Sequence, residues 1–596
     1  MPRSLKWMLA FVSIVIVLQI FVACAPMPVP TGVAPTNTPT PIPTATRTPL
    51  PTPRVPPIFK SGPVVIGTPQ MTAKHFNPLW LTSTPQFLAF PLILPALTWF
   101  DDKAQPINDL ATKVDVNADA TTFTFTLPKE AKWSDGAPLT ARDVAFTYKL
   151  ALDPAINSSL WGINLASIKG ATEFQRGAVK DVEGIKVVND QTIRFELKES
   201  NPAFLFNTYL GILPAQVLSK IDPKDIEKQA YVDLPNVTSG AYEIARYEPG
   251  KSIQLKKKAN YWSKKVNLDE VTIKLFDDTA SVAEQLERGT IQIAALSLDD
   301  ALRFRNVSYL DVLSTKGIAF TVVHIDARTQ EQIANIAKPK DIGGRGFFAA
   351  KVAKSYLADK RFRQALNYAI DKNAVIKTVV AGEASPIYSA IYGPDWAINS
   401  NLNKYDQNVD KAKALMRDAG VKFDEGGNAL WDNQPIALTY LASAGDESAK
   451  LGAALQQQLS KIGIRLDVKL VVNSAFQEAA IAGDGDLIRN VGARFGVEPS
   501  VSGFFYTCKA GWAELVMGYC NPKFDELQGR GLATNKLDDR KKIYADASAI
   551  LNDEAPSIFL YAANVFVGVN KGLTGVKATA DPNYLTFNLQ DWTLQK

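Results

Sequence analysis

The sequence predicts a mixed α/β body behind an exported N-terminus. Three observations carry that reading. Apolar residues alternate at period two in short runs, as at Phe123, Phe125 and Leu127, the pattern of a half-buried strand. Elsewhere they recur every three or four residues, as at Leu451, Leu455, Leu459 and Ile462, the stripe of an amphipathic helix. The N-terminal segment follows neither period.

Arg3 and Lys6 bring positive charge to that segment. Trp7 to Val22 then run apolar, broken only by Ser13 and Gln19. A membrane span needs about 20 such residues, so this run suits the apolar core of a secretory signal. It ends Phe21-Val22-Ala23-Cys24. A small residue before Cys resembles the bacterial lipobox, where the leader is cleaved and the Cys lipidated. On that resemblance residues 1–23 are a signal peptide and Cys24 is the lipidation site. The other reading is an uncleaved N-terminal anchor; both put the rest of the chain outside the cytoplasm. From Ala25 to Ile58 Pro and Thr dominate, as in Thr36-Asn37-Thr38-Pro39-Thr40-Pro41. Such a stretch buries no apolar surface. Repeated Pro favours an extended spacer of about 3.1 Å per residue, here a tether between membrane and body.

Within the body, alternation recurs at Ile193, Phe195, Leu197 and at Val271, Ile273, Leu275. A helix is predicted to start at Thr140, with Asp143 three residues on as a capping-box partner. Val144, Tyr148 and Leu152 then share one face. Another helix runs through Phe362, Leu366, Ala369 and Ile370, with Arg363 expected on its solvent face. Ile436, Leu438 and Tyr440 read as a strand, Leu451 to Ile462 as a helix stopped by Gly463, and Ile464 to Leu470 as a second strand. A strand-helix-strand unit of this kind implies a parallel pair with a right-handed crossover.

The 596 residues are 46% apolar and 21% charged, enough for a sizeable core. The net charge of +5 gives no case for nucleic acid, which needs a clustered basic face. The tightest basic cluster, Lys256, Lys257, Lys258, Lys264 and Lys265, reads as a solvated strand end. With Cys24 in the anchor, Cys508 and Cys520 remain, in a compartment that permits disulfides. Bonded, they would close a short loop worth about 3 kcal/mol; the alternative is two reduced buried thiols. The only histidines, His75 and His324, lie far apart, and no helical zinc-protease pair, nucleophile elbow or P-loop occurs. No metal, cofactor or catalytic residue is expected, and the chain does not read as an enzyme.

Several segments, taken in order, resemble the family 5 extracellular solute-binding proteins, the dipeptide- and oligopeptide-binding components of ABC importers. The run Trp133-Ser134-Asp135-Gly136-Ala137-Pro138-Leu139-Thr140 looks like the family signature. Thr238-Ser239-Gly240-Ala241-Tyr242, Asn260-Tyr261-Trp262, the helix from Arg361 to Asp371 and Tyr519-Cys520-Asn521-Pro522 match further family segments. The resemblance implies a two-lobed periplasmic-binding-protein fold of class II type, with an extra subdomain on the first lobe. Lobe I is expected at 59–106, 230–322 and 558–596, the extra subdomain at 107–229, and lobe II at 323–557. It also implies a monomer working with membrane permease subunits and holding a peptide, or an oligosaccharide-like solute, between its lobes. A signalling receptor or scaffold is the competing class.

In peptide-binding members a segment with an Asp supplies a carboxylate for the peptide's amino group. The corresponding stretch here runs from Val491 to Pro499; Phe495 stands at the Asp position, with Arg494 beside it and Glu498 three residues on. The resemblance therefore marks Arg494, Phe495 and Glu498 as candidate ligand contacts and disfavours a free peptide amine. Aromatic candidates are Tyr392, Trp396, Tyr506, Trp512 and Tyr561, which offer stacking faces or side-chain walls.

Overall fold

The computed structural model describes residues 58–69, 76–336, 352–492 and 497–595. The leader, Cys24, the tether up to residue 57, His75, Arg494 and Phe495 lie outside the described residues. A twelve-stranded sheet forms the spine of the described body. Its central strand is Ser557–Asn570, 14 residues of alternating and continuous apolar sequence, or roughly 45 Å of extended chain. The strand is buried at both ends and half-buried in the middle, because it leaves one core and enters another there.

The two ends have different partners. Ser557 to Tyr561 pair with Phe320–Ile325, and Tyr561 to Ala563 with Ala384–Pro386. Asn564 to Asn570 pair with Leu310–Lys316, and Phe566 to Val569 with Ile293–Leu296. The switch falls at Gly317, whose N–H donates to the Ala563 carbonyl at 2.9 Å. A Cβ on Gly317 would stand 2.7 Å from that same oxygen, so the close approach needs glycine. The chain thus passes between two α/β lobes at adjacent points on neighbouring strands.

On one side, Val64–Pro69 pairs in parallel with Glu270–Phe276 and Ile293–Leu296. On the other, Ala437–Ser443 and Arg465–Val471 form the parallel pair that the strand-helix-strand reading predicted, joined by the helix Asp446–Ser460. Leu451, Leu455 and Leu459 are fully buried on that helix. Gly463 turns the chain at φ +76°.

A separate antiparallel sheet in the order Lys113–Val116, Thr122–Thr126, Thr192–Glu196, Ile185–Asn189 builds the extra subdomain. Phe123, Phe125, Ile193 and Phe195 fill its inner face. The helix Ala141–Leu152 lies over it, with the Thr140 and Asp143 capping box in place. Trp133 is buried and Gly136 turns at φ +89°, so the signature segment folds as a turn and core.

Two sequence expectations need correction. Arg363 does not face solvent: it is buried. Its guanidinium donates to the carbonyls of Ala358 at 2.7 Å and Glu554 at 2.8 Å. The carbonyls at the end of the helix Leu537–Glu554 lack intrahelical partners and draw the cation in. Lys258 is likewise not part of a solvated strand end. Its amine donates to Thr238 O at 2.9 Å and Oγ1 at 2.6 Å, and burial brings its pKa down to about 8. It serves the Thr238–Tyr242 turn, whose Gly240 N–H closes the end of the helix Thr84–Ile93. A Cβ on Gly240 would meet Leu92 O at 2.3 Å. Trp262 docks on the same turn, its indole N–H 2.9 Å from Ser239 O.

Candidate ligand-binding cleft

Between the lobes lies a cleft in two compartments that share Ile318 as floor. The hairpin of Thr98–Phe100 and Pro106–Asn108 reaches into it from lobe I. Its tip is folded onto Asp101, whose Oδ1 accepts from the N–H groups of Lys103 and Gln105 at 2.9 and 2.8 Å. From lobe II, the chain beyond the strand Leu487–Gly492 returns as the short turn Pro499–Ser502, capped by Glu498. Gln105 Nε2 donates across the cleft to Val497 O at 3.1 Å.

The smaller compartment, about 240 Å³, has Phe100 and Tyr584 from lobe I, Phe206 and Tyr209 from the extra subdomain, and Val497, Glu498, Ser500 and Val501 from lobe II among its walls. Phe100 and Tyr584 stack at 4.4 Å. Among the described residues of this wall, Glu498 is the charged one. It is buried, and its Oε1 accepts from Ser500 N at 3.2 Å and Arg540 Nη2 at 2.5 Å. The larger compartment, about 490 Å³, runs from Lys103 and Gln105 across Thr315 to Ile318 to the turn Tyr392 to Trp396. Lys316 crosses its wall, donating to Tyr392 O at 2.9 Å. Burial lowers the Lys316 pKa, and nearby Asp395 opposes that. At the mouth, Lys103 and Asp395 pair at 3.1 Å with both side chains exposed. No His or Cys stands among the described lining residues.

The structure brings Trp396, Tyr392 and Glu498 to this cleft. Trp396 is half-buried, with the Arg540 guanidinium 5.0 Å from its ring. Tyr392 is buried and donates its hydroxyl to Ile318 O at 2.5 Å. Three candidates lie elsewhere. Tyr506 is enclosed in the lobe II core, its hydroxyl 3.1 Å from Ser557 Oγ. Tyr561 is enclosed too and donates to Glu447 at 2.7 Å. Trp512 packs at 5.8 Å on Phe505 and 5.4 Å on His324, whose imidazole burial drives down to about 3 and so keeps neutral. Cys508 and Cys520 are bonded to each other. The sequence reading missed Phe100, Phe206, Tyr209, Tyr584 and Lys316. Phe100 and Lys316 sit in strands and Phe206 and Tyr584 in short 3-10 turns, so no shared period joins them, and only the meeting of distant chain regions brings them to the cleft.

Two α/β lobes joined by paired strand crossings around an aromatic cleft define the architecture of a solute-binding protein. Residues 105–513 match the profile of the bacterial extracellular solute-binding proteins, family 5 (middle region), and the chain belongs to that family. It is 24% identical over 540 residues to the oligopeptide-binding protein AppA of Bacillus subtilis, covering 89% of this chain and 91% of that one. It is also 24% identical over 522 residues to the dipeptide-binding protein of Escherichia coli, covering 84% and 89%. To the oligopeptide-binding protein OppA of Lactococcus lactis subsp. cremoris it is 27% identical over 375 residues, 60% of each chain. Among solved structures, the ABC transporter substrate-binding protein CtaP of Listeria monocytogenes superposes with a TM-score of 0.73 at 23% identity, covering 90% of this chain and all of that one. The peptide-bound AppA of Bacillus subtilis gives 0.61 at 21%, covering 90% and 99%.

Proposed function

We propose that this chain is the substrate-binding component of an ABC importer, exported, held at the membrane by lipid on Cys24, and acting as a monomer. It captures a peptide or related small solute between its lobes and delivers it to a membrane permease. The observation that carries this is the cleft itself, walled by both lobes and by the extra subdomain over the paired crossings at Gly317 and Ala563. A bound solute that touches both lobes favours the closed arrangement by its differential affinity, and a permease can read the closed shape. The lining pairs aromatic walls with few polar groups, as small-molecule sites do. The relatives named as peptide-binding proteins support the solute class.

Mass spectrometry of small molecules released from the purified chain, with small-angle scattering before and after stripping, tests this. Peptides should be released, and their removal should expand the particle. A chain that releases no solute and whose scattering no peptide changes is not a peptide receptor. For the anchor, Cys24→Ala should move the protein from the membrane to the soluble fraction. Undiminished membrane partition would mean a retained helix.

A further inference from the structure

We propose that the smaller compartment is built for an uncharged apolar group of the solute, and that Arg540 is the positioning residue that makes it so. This rests on reading the cleft as the solute site. Taken alone, Glu498 invites the opposite view. It is the charged residue among the compartment's described walls, and a carboxylate on a pocket wall ordinarily draws an ammonium. Its charge is already answered. Arg540 reaches Glu498 from behind at 2.5 Å, with both side chains buried.

Arg540 is itself held on three sides. Its Nε donates to Gly531 O at 3.2 Å. Its guanidinium lies 5.0 Å from the Trp396 ring and 5.5 Å from the Tyr544 ring. A planar cation fixed by a carboxylate, a carbonyl and two ring faces is pre-organised, so it does not swing away to release the carboxylate. An arriving ammonium would give up its water to face a neutral ion pair, which is unfavourable.

The remaining walls agree. Among the described residues, Phe100, Phe206, Tyr209, Tyr584 and Val501 are largely apolar, with the amides of Asn164 and Asn207 and the Ser500 hydroxyl as polar points. Phe100 and Tyr584 each turn one ring face on the other, at 4.4 Å and 22°, and not on a cation. At about 240 Å³ the compartment falls below the roughly 300 Å³ lower end of whole-ligand pockets. It has room for one ring or branched side chain, with the rest of the solute passing over Ile318 into the larger compartment. Arg540 braces that compartment as well, because Trp396 is part of its wall.

The test compares free-amine and N-acetylated forms of one short Phe-containing peptide, titrated calorimetrically into the ligand-stripped whole chain. The acetylated form should bind at least tenfold tighter, and Glu498→Gln, which leaves the Arg540 cation unanswered, should not move that ratio toward the free amine. Arg540→Met uncovers the carboxylate and should shift the ratio at least tenfold toward the free amine. Should that variant not fold, Glu498→Gln/Arg540→Met, which buries no unpaired charge, should keep the parent's ratio. A parent that prefers the free amine and loses it with Glu498→Gln overturns this inference and leaves the solute reading standing. So does an Arg540→Met protein that folds with an unchanged ratio, or a double variant whose ratio departs from the parent's. Binding of neither form overturns both.

Discussion

Lys372 carries its amine into the lobe II interior. It is 7% exposed, its Nζ 4.6 Å from the Tyr388 ring centroid and 5.9 Å from that of Tyr405. One carbonyl, Ile387 O, stands at 3.4 Å. Burial brings its pKa down to about 7, with Asp406 opposing. The folded value lies below the unfolded one of about 10.4. Between those two values the unfolded chain binds more protons, so this group makes stability rise with pH. The slope reaches at most about 1.4 kcal/mol per pH unit. Lys372→Met should flatten the rise from about pH 7 to 10 and leave the protein more stable than the parent near pH 6, as urea denaturation at several pH values will show. An unchanged slope would mean that the amine keeps its water. Neither Lys372 nor Arg363 announces its burial in sequence. A cation's position on a helix face is local, whereas the carbonyls and rings that receive it arrive from distant segments.

At the scale of elements the sequence is far more legible. The Thr140 cap, the Leu451 stripe and the alternation at Phe123 and Ile193 rest on contacts within a few residues, so periodicity reports them directly. Gly463 belongs here. Its φ is +76°, and an added Cβ would meet Gly427 O at 2.3 Å and Ala429 N at 2.6 Å, both backbone atoms. Gly463→Ala should cost roughly 2 kcal/mol or more through left-handed strain and that clash. A loss below 0.5 kcal/mol in chemical denaturation would show that the turn relaxes, about the spread of an ordinary surface change. Cys508 and Cys520 close a loop of sequence separation 12. Replacing both with Ala should remove about 3 kcal/mol. Thiol labelling of the unreduced, denatured parent should find neither of them free; two labelled thiols would refute the bond.

Across the whole molecule, the lobes meet at the strand crossings and across the cleft mouth. The Lys103–Asp395 pair spans the mouth with side-chain exposures of 68% and 80%, so water and salt screen it. Asp395→Asn should weaken solute binding no more than about fivefold, the value of an exposed pair, and the difference should vanish in about 1 M salt. A larger, salt-independent loss would place Asp395 in contact with the solute instead. The crossing at Gly317 is a different case. It is closed by a backbone bond between neighbouring strands, which no charge change disturbs.

The sequence by itself determined the α/β alternation, the caps and stops, the order of segments that resembles family 5, and the Pro- and Thr-rich composition of residues 25–58. All of these are written in local period or local chemistry. Only the tertiary structure decided that Ser557–Asn570 serves both lobes, and that Phe100, Phe206 and Tyr584 share a wall with Val501. Only it placed Tyr506 and Tyr561 in a core and gave the Glu498 carboxylate to Arg540. An aromatic side chain packs in a core or lines a cleft with the same residue type and period, and a carboxylate looks the same in sequence whether paired or free. The difference lies in which distant segment closes over it, and long-range packing is fixed by the whole chain at once.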